Sequence, residues 1–257
     1  KSAFKYNINS YARIYGHISK GYKSGGVNQQ PYVSTINRDY NPEYLMNYEL
    51  GYRKKSETSL LNISFFVSDR IDQQVSVSAQ QYDNDPNSFY YFTANSGKGW
   101  LRGLELEYDF NLMKYVDINY SLGFLETWTD KFSFEVAEGI DQVSGNREVA
   151  MSPNISSSIT ISYRHAGYFI TYNQTYKDAY YYSDSHNNQT EPYSLSNISL
   201  GRQIKKFTVS LWGNNIFDKR YPVRGFYFGL IPPNYDPQLW LSYGDPFQAG
   251  FTISYDF

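Results

Sequence analysis

From Phe247 to the end of the chain, apolar and polar residues alternate without a break. Phe247, Ala249, Phe251, Ile253, Tyr255 and Phe257 fall on one side, and Gln248, Gly250, Thr252, Ser254 and Asp256 on the other. Successive side chains of an extended strand point to opposite faces, so a period of two specifies a strand and excludes an amphipathic helix of period 3.6. The split recurs along the chain. Leu61, Ile63, Phe65 and Val67 oppose Asn62, Ser64 and Ser68, with Phe66 out of pattern. Leu104, Leu106, Tyr108 and Phe110 oppose Glu105, Glu107 and Asp109, and Ile118, Tyr120, Leu122 and Phe124 oppose Asp117, Asn119 and Ser121. Ile155, Ile159, Ile161 and Tyr163 oppose Ser156, Ser158, Thr160 and Ser162, while Phe207, Val209 and Leu211 oppose Thr208 and Ser210, with Trp212 on the polar side.

Roughly ten such segments are predicted, near 8–22, 43–55, 58–79, 88–110, 115–128, 153–164, 167–180, 192–203, 206–217 and 246–257. They reach the roughly 9–11 residues of a tilted membrane-crossing strand, where soluble strands average about 5–6. The connections are sorted as well. Short turns fall near Lys54–Glu57, Asn111–Lys114, Arg164–Gly167 and Gln203–Lys206. Long polar, aromatic-rich loops fall near Lys23–Pro42, Thr129–Ser152, Asp178–Glu191 and Asp218–Asp245, with a shorter one near Gln80–Asn87. Short turns on one side and long loops on the other are the asymmetry of outer-membrane barrels. A soluble all-β protein, the alternative, has no reason to sort them.

Composition agrees. The chain holds 28 Tyr and 17 Phe, yet its mean hydropathy is polar, as a barrel with an apolar outer wall, a wet lumen and aromatic girdles requires. Tyr52, Tyr108, Phe110, Tyr115, Tyr163, Tyr168, Tyr255 and Phe257 lie beside short turns or the chain end and suit such a girdle. A net charge of −2 gives no electrostatic case for nucleic acid, and the lack of cysteine excludes disulfides and thiolate metal sites. No signal peptide opens at Lys1, so a mature start or an internal fragment is expected. The expected fold is all-β, a transmembrane antiparallel up-and-down barrel.

Candidate ligand-contacting residues are the aromatics of two long loops, where rings could stack on a solute. They are Tyr180, Tyr181, Tyr182 and His186 in one, and Phe226, Tyr227, Phe228 and Trp240 in the other. Girdle and loop packing are the alternative for each. Glu49, Arg53, Arg102, Glu105, Glu107 and Asp117 are predicted to face the lumen, either solvated or bonded to a domain inside it. Hydrolase chemistry needs a nucleophile or paired carboxylates beside a histidine. Of the three histidines, only His186, near Asp178 and Asp184, could serve; ordinary loop polarity explains this trio better, and the spacing is no metal pattern. No enzyme, metal or cofactor is expected.

Six stretches resemble the C-terminal part of TonB-dependent receptors of the iron-complex type. They are YARIYGHISKGYKSGGVN (Tyr11–Asn28), NPEYLMNYELGYRKK (Asn41–Lys55), NSGKGWLRGLELEYDF (Asn95–Phe110), SGNREVAMSPN (Ser144–Asn154), WGNNIFDKRYP (Trp212–Pro222) and the terminal GFTISYDF. They stand in the family's order across nearly the whole chain. Pro246–Phe247 departs from the Pro-Arg usual there. The resemblance implies that residues 1–257 are the C-terminal part of a 22-stranded barrel in the bacterial outer membrane. The remaining strands and an N-terminal plug contacting TonB would lie outside this chain. It implies uptake of a ferric siderophore or similar scarce nutrient, with a passive porin-like or structural barrel as the alternative. It also implies that Phe251, Ile253, Tyr255 and Phe257 form the signal read by the barrel-assembly machinery.

Overall fold

Consecutive alternating segments pair with their neighbours in sequence, so the chain folds as a meander. The computed structural model describes residues 1–257 apart from Tyr32, Gln81, Asp83, Asn84, Glu138, Gly139, Ser185, Leu230, Tyr235 and Pro237. Of Ser78, Gln80, Pro86, Phe89, Val136, Ala137, Ile140, Asp141, Gln142 and Phe228, only the backbone is described. One 11-stranded antiparallel sheet dominates. Its strands are β1 (Ser2–Asn7), β2 (Ala12–Lys23), β3 (Glu43–Lys55), β4 (Ser59–Ile71), β5 (Lys98–Met113) and β6 (Val116–Thr129). Then follow β7 (Ile155–His165), β8 (Tyr168–Lys177), β9 (Tyr193–Ile204), β10 (Phe207–Asn214) and β11 (Gln248–Tyr255). Each pairs only with the strand before and after it; β1 and β11 are the edges, and no pairing joins them among the described residues.

Two expectations about the strands are corrected. The first strand, Ser2–Asn7, adds an eleventh to the expected ten; it is too short for its alternation to stand out. The segments 58–79 and 88–110 are each two strands. Asp72 and Gly97 take positive φ, and the chain leaves the main sheet to form a separate hairpin, Gln74–Gln80 with Phe89–Asn95. Other long loops carry hairpins too, Phe132–Ala137 with Ile140–Ser144 and Pro222–Phe228 with Gln238–Tyr243.

Register fixes the faces. Leu50, Phe65, Leu104, Phe124 and Ile155 are cross-strand partners in one row, and Val116, Tyr163, Ile170, Leu200, Leu211 and Phe251 in another. Phe65, Leu211 and Phe251 are more than half exposed. An apolar wall of this extent needs an apolar surrounding rather than water. The opposite face carries Arg13, Arg53, Asn62, Glu107, Ser121 and Ser158 in one row. Arg102 does not belong there, contrary to expectation. It pairs with Val67 and Glu126 on the face of Leu104. Its charge is tolerated toward the long-loop margin, where Nε meets Glu126 Oε2 at 2.6 Å and the guanidinium lies 4.4 Å from the Trp100 ring centre.

Aromatics on the polar face, Phe66 and Trp212 that broke the alternation among them, have a packing reason. Phe66 is the direct partner of Gly103, Phe169 of Gly201, Trp212 of Gly250 and Tyr15 of Gly51, all on the polar face. Each ring lies over its glycine; a Cβ at Gly103 would sit 2.6 Å from Phe66 Cζ. A ring thus covers the backbone that glycine leaves bare.

All short turns lie at one end and all long loops at the other, as expected. At the turn end Ala166 and Gly167 both have positive φ, as a two-residue type I′ hairpin demands. Basic residues stand over girdle rings there: Arg202 over Tyr168 at 4.4 Å and Lys206 over Tyr255 at 5.8 Å. Phe251, Ile253, Tyr255 and Phe257 are exposed at this edge of the sheet.

Candidate ligand-binding loops

The long loops pack on one another. Val33, Val75, Val77, Ala79, Phe92, Phe132 and Phe134, from three different loops, form a buried core above the sheet. Asn28 fastens it. Its Nδ2 donates to Thr93 O at 2.8 Å and to Asn37 O at 2.7 Å, while its Oδ1 accepts from Thr93 N at 2.9 Å. The side chain thereby acts as a further strand residue beside the hairpin. Nothing in the local sequence marks Asn28 for this role; the contact spans 65 residues.

A second cluster joins the loops after β6, β8 and β10, and it gathers most of the predicted aromatics. Tyr180 and Tyr182 are its interior. Both are buried, the Tyr180 hydroxyl donates to Val223 O at 3.3 Å, and the Tyr182 ring covers Gly225. Burial pushes both phenols above their ordinary range. Arg147 lies 4.1 Å from the Tyr181 ring centre and donates from Nη2 to Ser183 O at 2.7 Å. His186 stacks flat on Tyr227, 3.7 Å between centres and 8° between planes, and its Nδ1 lies 3.0 Å from Ser183 Oγ. Phe226 and Trp240 are direct partners across the hairpin and remain about 40% exposed. The Phe228 side chain lies outside the described residues.

The histidine and its two aspartates are employed separately. Asp178 Oδ1 accepts from Ala179 N at 2.9 Å, and Asp184 Oδ1 from Ala150 N at 3.1 Å. Among the described residues no three metal-ligating side chains converge. Sequence reasoning missed Arg147, although it stands in the Gly-Asn-Arg stretch. Burial lowers its pKa against the opposing pull of Asp184. Arg147 Nη1 and the Tyr227 hydroxyl are buried without a hydrogen-bond partner among the described residues. Such groups oppose the packed state by about 1–3 kcal/mol each.

The His186 stack therefore carries a pH dependence. Burial first, and then Arg147, hold the imidazole below its ordinary value of about 6.5. The neutral ring suits the closed loops, so protons bind more readily to the opened state. The contact is fully formed above about pH 6.5 and weakens as pH falls through that value toward the depressed one. Protection from hydrogen exchange in residues 178–184 and 186–192, taken relative to the intrinsic rate at each pH, is expected to fall between pH 7.5 and 5, and His186→Gln is expected to flatten that response.

The signature WGNNIFDKRYP also acquires a mechanical meaning. Asn215, at positive φ, donates from Nδ2 to Lys219 O and Asp245 O, and Asp218 Oδ1 accepts from Phe247 N at 2.8 Å. Together they clamp the start of the last loop to the start of β11.

Comparison with known proteins follows this geometry. Residues 2–216 match the family described as TonB dependent receptor-like, beta-barrel. The pesticin receptor of Yersinia pestis is 23% identical over 231 residues, covering 84% of this chain and 31% of that protein. The ferric yersiniabactin uptake receptor FyuA of Yersinia pestis superposes with a TM-score of 0.76 at 18% identity, covering 99% of this chain and 36% of that one. The siderophore receptor PiuA of Acinetobacter baumannii gives a TM-score of 0.71 at 14% identity, covering 98% and 35%. The chain spans about a third of the length of these relatives.

Proposed function

The chain belongs to the TonB-dependent receptor β-barrel family, and on that premise we propose that it is the C-terminal barrel part of an outer-membrane receptor that captures a ferric chelate or similar scarce solute on its long loops. The matched proteins are receptors, not enzymes. The observation that carries the reading is the sorting of the molecule: one apolar face, one polar face, and every long loop packed at a single end. Unpaired backbone at β1 and β11 supports a larger barrel, because each open group in hydrocarbon costs several kcal/mol. Further strands beside these edges would close the wall, and a domain within the lumen would couple capture to TonB. The exposed Phe226–Trp240 pair is the best-placed apolar contact for the solute. The exposed apolar side chains of Phe251, Ile253, Tyr255 and Phe257 suit recognition by the assembly machinery as β11 is added to the wall.

The test is solute binding by the whole purified receptor, followed by tryptophan fluorescence against ferric catecholate, hydroxamate and phenolate chelates and their iron-free forms. One ferric class is expected to bind, and Phe226→Ala or Trp240→Ala to weaken it roughly five- to thirtyfold, as loss of a contact of about 1–2 kcal/mol would. No binding of any chelate, together with open ion conduction, would favour a passive pore.

A further inference from the structure

Toward the short-turn end of β7 to β11, the outward apolar face takes on positive charge. His165, Tyr168, Arg202, Val209 and Ile253 are direct cross-strand partners in one row, so Arg202 shares the face of Val209 and Ile253. The next pair along is Ile204 with Phe207, and Lys205 and Lys206 form the turn between them. All three cations are exposed. Arg202 leans over the Tyr168 ring on one side and Lys206 over the Tyr255 ring on the other. Ile204 and Phe207, each 52% exposed, lie open between them.

The carboxylates are distributed otherwise. Outward-facing acids of the strands are Asp69, a partner of Met46 and Trp100, and Glu126, the partner of Arg102, and both stand at the long-loop margin. At the short-turn end Asp109 and Asp117 face the polar side, where they accept from Asn119 and Asn111. Asp256 lies beside the turn, its backbone N–H donating to Lys206 O at 2.9 Å, and the carboxylate of Phe257 lies at the same edge. Three cations exceed these two, and no ion pair among the described residues uses Arg202, Lys205 or Lys206. Arg102 at the long-loop margin has its own carboxylate at 2.6 Å; these cations have none.

We infer that this patch seats an anionic phospholipid of the phosphatidylglycerol class, its phosphate between Arg202 and Lys206 and its acyl chains on Ile170, Leu200 and Leu211. The inference rests on the reading of the apolar face as lipid-facing. The cations stand on a wall continuous with those three residues, so an anion joined to hydrocarbon matches the patch where a free anion matches only its charge. The guanidinium fork binds phosphate oxygens by parallel hydrogen bonds. A zwitterionic headgroup brings its own cation, which the excess positive charge repels.

The test is photolabelling of the whole receptor in phosphatidylcholine vesicles containing a minor fraction of phosphatidylglycerol or phosphatidylcholine that carries a diazirine at the glycerol, with adducts mapped by mass spectrometry. Phosphatidylglycerol is expected to label residues 202–207 at least about fivefold more than phosphatidylcholine does, as attraction by one or two cations would give. Arg202→Gln with Lys205→Gln and Lys206→Gln is expected to bring the ratio to about one, whereas Arg202→Lys with Lys205→Arg and Lys206→Arg keeps the preference. Raising the salt concentration is expected to lower the ratio in the unmodified receptor, so the inference is tested even if the glutamine variant fails to insert. A ratio near one in the unmodified receptor, a ratio indifferent to salt, or a preference abolished when inorganic phosphate replaces chloride at equal ionic strength would each overturn it. Equal labelling of residues 202–207 by both lipids leaves the lipid-facing wall standing and removes only this site. If neither lipid labels Ile170, Leu200 or Leu211, the lipid-facing reading fails too.

Discussion

Leu104→Arg is expected to lower the unfolding free energy of the receptor in lipid by about 2–4 kcal/mol, the cost of a guanidinium at the middle of a barrel's outer wall. Leu104 lies between Phe65 and Phe124 in the central apolar row, four residues from Tyr108 toward the short turns and four from Trp100 toward the long loops. Arg102, only two residues along on the same face, shows how a cation survives there: it has Glu126 and the Trp100 ring beside it. An arginine at 104 has neither, and its hydrocarbon surroundings offer no acceptor. Ser121→Arg, on the polar face opposite Glu107, is expected to change stability by less than about 0.5 kcal/mol. Urea unfolding in vesicles measures both. Equal losses at the two positions would mean that the faces have been assigned wrongly.

The second large effect lies at the Trp212–Gly250 pair. A Cβ on Gly250 would fall 2.5 Å from Trp212 Cζ2, and its close neighbours are all atoms of that ring. Gly250→Val should therefore cost about 1–3 kcal/mol by overpacking. With Trp212→Ala already in place the same change should cost much less, giving a coupling that independent sites would not show. Strictly additive losses would refute the account of ring over glycine. Gly103 is a poorer choice for this test, since a Cβ there also meets backbone Phe124 O at 2.5 Å, and removing Phe66 would not relieve it.

Much of the wall is legible in the sequence because its chemistry is local. Alternation at Leu104–Phe110 assigns two faces without any knowledge of partners, and the positions of turns assign two ends. What escaped depends on cross-strand register. Phe66 and Trp212 are exceptions when read along the strand, and only the neighbours Gly103 and Gly250 explain them. Arg102 is different: its charge suggests the lumen, yet the period of two from Leu104 already puts it on the apolar face, where it lies beside Val67. The loops were least legible. Tyr180 and Tyr182 are attractive as ligand contacts because they are aromatic and lie in a loop, yet both serve as interior packing, as does Asn28 through bonds to a distant hairpin. Loop interiors are built from contacts far apart in sequence, and no short-range period reports them.

The orientation of the wall is the claim on which the rest depends. Because residues 1–257 contain no cysteine, single cysteines can be placed at exposed Asn187 in a long loop and exposed Glu57 in a short turn. Both are then labelled with a membrane-impermeant maleimide in intact cells that express the receptor. Asn187→Cys is expected to label at once, and Glu57→Cys only after the outer membrane is permeabilised; prompt labelling of Glu57→Cys in intact cells, with Asn187→Cys silent until permeabilisation, would contradict the account.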